Sequence, residues 1–247
     1  MVKLWIELRG PDGQEREAFL DRLAEELAPS VAADAATLGL RRAVLDRRIA
    51  AAEIDAFCED RGWAPAGDAM LELWFDDVAA LEAALGSSEG REALGRLAGP
   101  AASSATVTRP HEVFDRFEGA DGGGRIKLVV QNQGRPDLTL EQFMEHWVER
   151  HAPLVTEVGP ALGYRRYVQD HPVASPALEA YADERGWRSP PEGGVTEVWW
   201  DGREEQLAAF AGEEGAKASA VMAEDEPRFV HPPAMTAFLA TEQVLLG

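Results

Sequence analysis

The stretch HAPLVTEVGPALGYRRYVQDH, residues 151–171, carries two side chains able to move a proton. His151 supplies an imidazole, the group best matched to proton transfer near neutral pH. Tyr167 supplies a phenol that can donate to an enolate or carbonyl oxygen as charge develops on it. Upstream, Phe143, Trp147 and Leu154 fall on one helical stripe and set His151 at its apolar edge. Tyr167, Gln169 and His171 share a face of the strand expected at GYRRYVQDH, because alternate residues of a strand point the same way. Tyr164, Trp147 and Trp200 offer flat apolar wall, and Asn132, within Gln131-Asn132-Gln133, offers a ligand-binding amide. The expected site has His151 and Tyr167 as catalytic groups, with Trp147, Trp200, Asn132, Tyr164 and His171 as substrate contacts. A structural histidine, a packed tyrosine, turn chemistry for the amide run and a rim position for His171 are the plainer readings. His146, among Glu145, Glu149 and Arg150, reads as part of a solvated face. His111 and His231 adjoin prolines without metal-ligand spacing, and no metal site is expected.

The stretch has a second, stripped copy. Residues 27–47, LAPSVAADAATLGLRRAVLDR, align with it without a gap, but Leu27 stands under His151, Leu23 under Trp147, Leu40 under Tyr164 and Ala43 under Tyr167. The exchanges remove every proton donor and acceptor and keep apolar bulk. The register extends outward: Lys3-Leu4 matches Lys127-Leu128, Phe19 matches Phe143, and Arg61-Gly62-Trp63 matches Arg185-Gly186-Trp187. After one extra residue in the later loop, Glu72, Trp74, Asp76 and Gly90 match Glu197, Trp199, Asp201 and Gly215. So long a period marks a duplicated domain, not a solenoid. The expected units are 1–117, the degenerate half, and 125–247, the chemical half, joined by the Gly-rich connector EGADGGGR at 118–125.

Each unit reads β-α-β-β-α-β, the ferredoxin-like plan. In the second, RIKLVVQ is a strand, and Thr139 and Gln142 have capping-box spacing for a helix through Phe143 and Trp147. Pro153 kinks or ends that helix about His151. VTEVWWDG is a strand in which Trp199, like Trp74, is expected beneath a helix while Trp200 points the other way. Ser175-Pro176 caps a short helix closing at Gly186. That helix and its counterpart around Cys58 are expected to be lids over the barrel ends, anchored by Trp187 and Trp63. Such a unit covers one sheet face with helices and leaves the other bare, so two fused units are expected to close their bare faces into an α+β barrel with a cavity between the sheets.

Acidic residues outnumber basic ones, 44 to 24, for a formal charge of −20. That field repels phosphate backbones and anionic lipid, which argues against nucleic acid and membrane as partners. No apolar run approaches the roughly 20 residues of a spanning helix, and MVKLWIELRG lacks signal-peptide order, so a cytoplasmic protein is expected. The single cysteine, Cys58, excludes an intrachain disulfide and reads as a small packing residue. No phosphate loop, HExxH or CxxC points to a nucleotide or zinc, and no cofactor is expected.

The phrase LEQFMEHWVERHAPLV followed by GYRRYVQDH, with EVWWD and ATEQV later, resembles the EthD family of dimeric α+β barrel proteins. The resemblance covers 126–246, and the first half only through its likeness to the second. It implies a barrel that most members build by dimerising; this chain holds both halves, as a monomer with an internal pseudo-dimer or as a homodimer. It also implies acid/base roles for His151 and Tyr167, as in muconolactone-isomerase-like members, and a cysteine before the third-strand Trp, where this chain has Val198. The wider group contains cofactor-free cyclases, lactone isomerases, dehydratases and monooxygenases, some haem-binding proteins and accessory proteins. The expected function is a cofactor-independent acid/base enzyme of isomerase, dehydratase or cyclase type acting on a small apolar carbonyl, lactone or polyketide-like compound. A ligand-binding accessory protein and a cofactor-free or haem-assisted monooxygenase are the alternatives.

Overall fold

The structure is a computed structural model that describes residues 1–119 and 123–247. Ala120, Asp121 and Gly122, within the expected connector, lie outside the described residues. The first half runs β1 (Val2–Leu8), α1 (Arg16–Leu38), β2 (Arg42–Arg48), α2 (Ala52–Asp60), β3 (Ala69–Phe75), α3 (Val78–Leu85), α4 (Ser88–Ala98) and β4 (Ala102–Asp115). The second runs β5 (Ile126–Gln131), α5 (Leu140–His146), a π-helical turn (Trp147–His151), α6 (Ala152–Val158), β6 (Arg166–Pro172), α7 (Pro176–Arg185), β7 (Val195–Trp200), α8 (Arg203–Ala211), α9 (Glu213–Asp225) and β8 (Thr236–Leu246).

The eight strands close into one antiparallel barrel in the order β1-β3-β2-β8-β5-β7-β6-β4. Each half contributes four adjacent strands, and the long outer strands β8 and β4 cross over to pair with β2 and β6 of the opposite half. Closure leaves no sheet edge to template aggregation. Strand alternation then sorts side chains into two layers. In β1, Val2, Leu4, Ile6 and Leu8 face outward into the core beneath the helices, while Trp5 faces the lumen.

The lumen is solid, which corrects the expectation of a cavity between the sheets. Trp5, Met70, Val129, Val195, Phe238 and Ala240 pack there, and Trp5 Nε1 donates to Thr108 Oγ1 at 3.0 Å. Beside them, Lys127 Nζ reaches Glu72 at 2.6 Å, Asp46 and Glu197 at 2.8 Å and Glu242 at 3.3 Å. Lys3 Nζ binds Asp170 at 3.1 Å and also pairs with Glu197. Eight strands enclose only enough width for side chains to fill. Trp199 and Trp74, expected under helices, both face this lumen, their Nε1 atoms donating to Glu242 at 2.9 Å and Glu72 at 3.0 Å.

Outside the barrel each half lends a helix to the other. Ala51, Ile54 and Cys58, on and beside α2, join the core of the second half, whereas Leu178 and Tyr181 of α7 join that of the first. The two helices expected over the barrel ends therefore lie across the helical layers. As the sequence predicts, α7 is capped by Ser175 and closes at Gly186, whose φ of 67° is left-handed. Among the described residues no helix is long and apolar enough to cross a membrane.

Candidate functional site

The hollow lies between the second half's sheet and its own helices. It measures ≈ 300 Å³ and is bounded by β5, β7 and β8 on one side and by the π-helical turn, α6, α8 and α9 on the other, with α2 of the first half as roof. The matching space in the first half is occupied: Leu23, Leu27, Leu40 and Ala43, which replace Trp147, His151, Tyr164 and Tyr167, are all buried in one apolar cluster.

His151 is positioned by a local irregularity with a sequence cause. The capping box forms, with Thr139 Oγ1 accepting from the Gln142 N–H at 3.2 Å and Gln142 Oε1 accepting from the Thr139 N–H at 2.9 Å, and α5 starts at Leu140. Pro153 then has no N–H to give to the preceding turn. The chain absorbs the loss by widening rather than ending: the Ala152 N–H donates to Trp147 O, five residues back. Such π-turns recur at functional sites. The Trp147 carbonyl also accepts Gln169 Nε2 at 2.9 Å, which ties the turn to β6.

His151 is 7% exposed. Its Nδ1 lies 2.9 Å from Asp225 Oδ2, and His146 Nε2 lies 2.9 Å from Asp225 Oδ1. An ionised carboxylate only accepts, so both imidazoles donate to it, and His151 is left with Nε2 unprotonated when neutral. Nε2 has no partner among the described residues, and His151 lines the hollow. The hydrogen bond from His151, reinforced by that from His146, holds the Asp225 carboxyl below the usual carboxylate range. Phe229 packs against both rings, at 4.7 Å from His146 and 4.9 Å from His151. His146 is therefore no solvated-face residue, as its charged neighbours implied; it braces the carboxylate that orients His151.

Of the other expected residues, Trp147, Trp200, Asn132, Tyr164 and Tyr167 line the hollow. Tyr167 Oη accepts Gln169 Nε2 at 2.9 Å, so its own proton is free to be donated, and burial raises its pKa. Burial likewise raises that of Tyr164, aided by the charge of Glu226. Trp200 is fixed by donation to Leu162 O at 2.8 Å, and Asn132 by donation to Thr196 Oγ1 at 2.9 Å. Gln131 instead faces the lumen, accepting from Thr236. His171 does not line the hollow, contrary to its expected role as a substrate contact. It packs behind Trp147 with its Nε2 3.3 Å from Gln169 Oε1, one layer too far along β6.

The sequence profile of the EthD domain matches residues 11–96 and again 135–233. The chain belongs to the EthD family. The double match is that of a tandem duplication. No curated protein sequence matches the chain. Among solved structures, an anthrone oxidase-like protein is similar in fold, with a TM-score of 0.61 at 8% identity over 99% of this chain and 93% of that one. A proposed monooxygenase of Fusobacterium nucleatum subsp. nucleatum ATCC 25586 aligns over 99% of this chain and 91% of its own, with a TM-score of 0.49 and 10% identity. An ethyl tert-butyl ether d (EthD) family protein of Bacillus halodurans C-125, 21% identical, covers 48% of this chain and 99% of its own with a TM-score of 0.33.

The site of this EthD chain contains three ionisable groups that motif reading passed over. Asp225 and Glu226 sit in the acidic run AEDEP, which looks like surface, and Arg61 comes from the half whose copy of the motif is apolar. The end of α9 points inward, so Glu226 lines the hollow and pairs with Arg61 across the halves. Burial pushes the Glu226 carboxyl up against the pull of Arg61. Cys58 also lines the hollow, where burial pushes its thiol up to about 11, away from the range of an activated thiolate. Three carboxylates converge elsewhere, at Asp46, Glu72 and Glu242. The Lys127 amine occupies their centre.

Proposed function

We propose that this chain is a cofactor-independent enzyme that removes a proton beside the carbonyl of a small apolar compound. The observation that carries the reading is the His151–Asp225 pair, with an unprotonated Nε2 turned to an apolar hollow. The C–H proton passes to Nε2, the carbonyl becomes an enolate, and its oxygen is met by the Tyr167 hydroxyl, with Tyr164 beside it. Asp225 fixes the tautomer and steadies the imidazolium that forms. The mostly apolar walls lower the local dielectric, which strengthens both interactions. A hollow of ≈ 300 Å³ is at the small end of ligand pockets and suits one compact fused-ring or lactone molecule. Reprotonation elsewhere gives an isomerase, loss of a neighbouring group a dehydratase, and attack on a second carbonyl a cyclase.

The reading includes two ferredoxin-like units, 1–117 and 125–247, in a cytoplasmic protein with one site per chain. The first serves as scaffold and roof, the second as the chemical half.

A second reading is favoured by the similarity to the anthrone oxidase-like protein. There dioxygen is the co-substrate: the carbanion formed from a ring CH₂ adds O₂, the peroxide takes up a proton, and loss of the second proton from the same carbon breaks the O–O bond and expels hydroxide, leaving a ketone and, once the hydroxide is protonated, water. The first step is the same.

The test is NMR-detected exchange of the carbon-bound proton with D₂O over a panel of lactones, aromatic ketones and anthrones. His151→Ala is expected to slow exchange about a hundredfold to ten-thousandfold, and Tyr167→Phe about a hundredfold to a thousandfold. Asp225→Asn moves the rate in the same direction. If His151→Ala exchanges every processed compound at the wild-type rate, the reading fails. Oxygen uptake during turnover selects the oxygenase branch, and a Soret band on the purified protein its haem-assisted form. Binding without exchange or uptake points to an accessory protein.

A further inference from the structure

Arg61 is the sole lysine or arginine among the residues that line the hollow. It stands at the end of α2, contributed by the first half, and its guanidinium lies 4.2 Å from the centre of the Phe57 ring. Guanidinium carries five N–H donors in a planar fork. One of them, on Nη1, pairs with Glu226; the rest meet no hydrogen-bond acceptor among the described residues. The side chain is only 27% exposed. Its repeat counterpart, Arg185, makes the same stack on Tyr181, at 4.9 Å, but lies against Gly95 of α4 and has no ion-pair partner among the described residues. Of the two repeat-related arginines, only Arg61 forms an ion pair with a glutamate among the described residues, and that glutamate, Glu226, also lines the hollow.

The geometry points to Arg61 as a specificity residue that receives an ionised oxygen of the substrate, so that the compound bound is an apolar ring system bearing a carboxylate, phenolate or equally acidic enol. This inference rests on the proposed reading of the hollow as a substrate site and narrows its substrate class. Glu226 holds the fork toward the hollow while it is empty. Phe57, packed edge to face on Trp63 at 5.7 Å, gives the fork a flat apolar support. Tyr164, half-buried near Glu226, closes the same polar corner. A cation in an apolar wall gives little to a neutral ligand and much to an anion, since hydrogen bonds to charged groups are worth about 1.5–3 kcal/mol.

The experiment compares two isosteric probes, 2-naphthoate and 2-naphthamide, by calorimetric titration of the whole chain. Wild type is expected to bind the anion at least about tenfold more tightly, the lower end of that range converted to affinity. Arg61→Gln is expected to abolish the preference by weakening naphthoate about tenfold or more while leaving naphthamide within about twofold. Unchanged naphthamide binding also serves as the check on folding. Arg61→Lys keeps the charge without the fork and retains an intermediate preference. A wild type that does not distinguish the probes, an Arg61→Gln variant with the wild-type ratio, or equal loss of both probes would each overturn the assignment, the last because Arg61 would then merely hold the roof. Since binding is read without turnover, failure here is distinct from failure of the proton-transfer reading, which shows in the exchange rate of His151→Ala.

Discussion

At the residue scale, the site is organised by one carboxylate shared between two imidazoles. Asp225 fixes which nitrogen of His151 is left bare, and Phe229 and His146 restrict its rotation. A parallel chain runs from His171 through Gln169 to Tyr167. Burial, with the nearby His111 ring, pulls the His171 imidazole down to about 4. A base with a depressed folded pKa favours folding above its unfolded value of about 6.5 and loses that contribution as pH falls through the window toward 4. His171→Gln is therefore expected to lose less stability than wild type between pH 7 and pH 4.5, read as the shift in urea midpoint. An equal shift in both proteins would contradict the assignment. His151, Tyr167 and the aromatic residues of the hollow stood out in the sequence because their counterparts in the other copy are apolar. Asp225, Glu226 and Arg61 did not, because charged residues in acidic or helical runs look like solvent-facing ones until the chain's path turns them inward.

At the element scale, the duplication preserved devices as well as side chains. The helix pairs α3–α4 and α8–α9 each turn against a glycine. A Cβ at Gly90 would lie 2.2 Å from Ala84 O, and one at Gly215 would lie 1.9 Å from Ala209 O. Backbone cannot yield as a side-chain tip can, so Gly215→Ala and Gly90→Ala are each expected to cost about 1–3 kcal/mol. Equilibrium urea unfolding checks this, and a neutral result would mean the helix pairs can slide apart. The capping box at Thr139, the cap at Ser175 and the stop at Gly186 could be read directly, since each depends on a few neighbouring residues. The widened turn at Trp147–His151 was legible only as a disturbance at Pro153. Whether a helix breaks or bulges is decided by what holds it from outside, and here Gln169 holds the Trp147 carbonyl.

At the scale of the whole molecule, the barrel and its closure within one chain follow from the repeat, but the location of the hollow does not. Inward positions of the strands carry Lys3, Asp46, Glu72, Lys127, Asp170 and Glu197, all buried. Their alternation with apolar residues reads as solvent on one face and core on the other, and the face that looks wet is the sealed lumen. Two lysines face five carboxylates there, and burial pushes the Asp46 and Asp170 carboxyls well up, so both favour the neutral form. The lysines, aided by the hydrogen bond from Asp170, hold Glu197 ionised despite its burial. Removing a lysine strands the remaining charge. Lys127→Met is accordingly expected to destabilise the fold by about 3–5 kcal/mol, measured by denaturant titration; a change within about 0.5 kcal/mol would show that the cluster carries no such weight.

The bare nitrogen that His151 presents to the hollow behind β7 is the centre of the proposed chemistry, and imidazole nitrogen NMR at pH 8 reads it directly. The expected result is a His151 ring protonated at Nδ1 and bare at Nε2, whose Nε2 resonance shifts when 2-naphthamide is added. A ring protonated at Nε2, or one whose resonances ignore the ligand while the ligand binds, would contradict it.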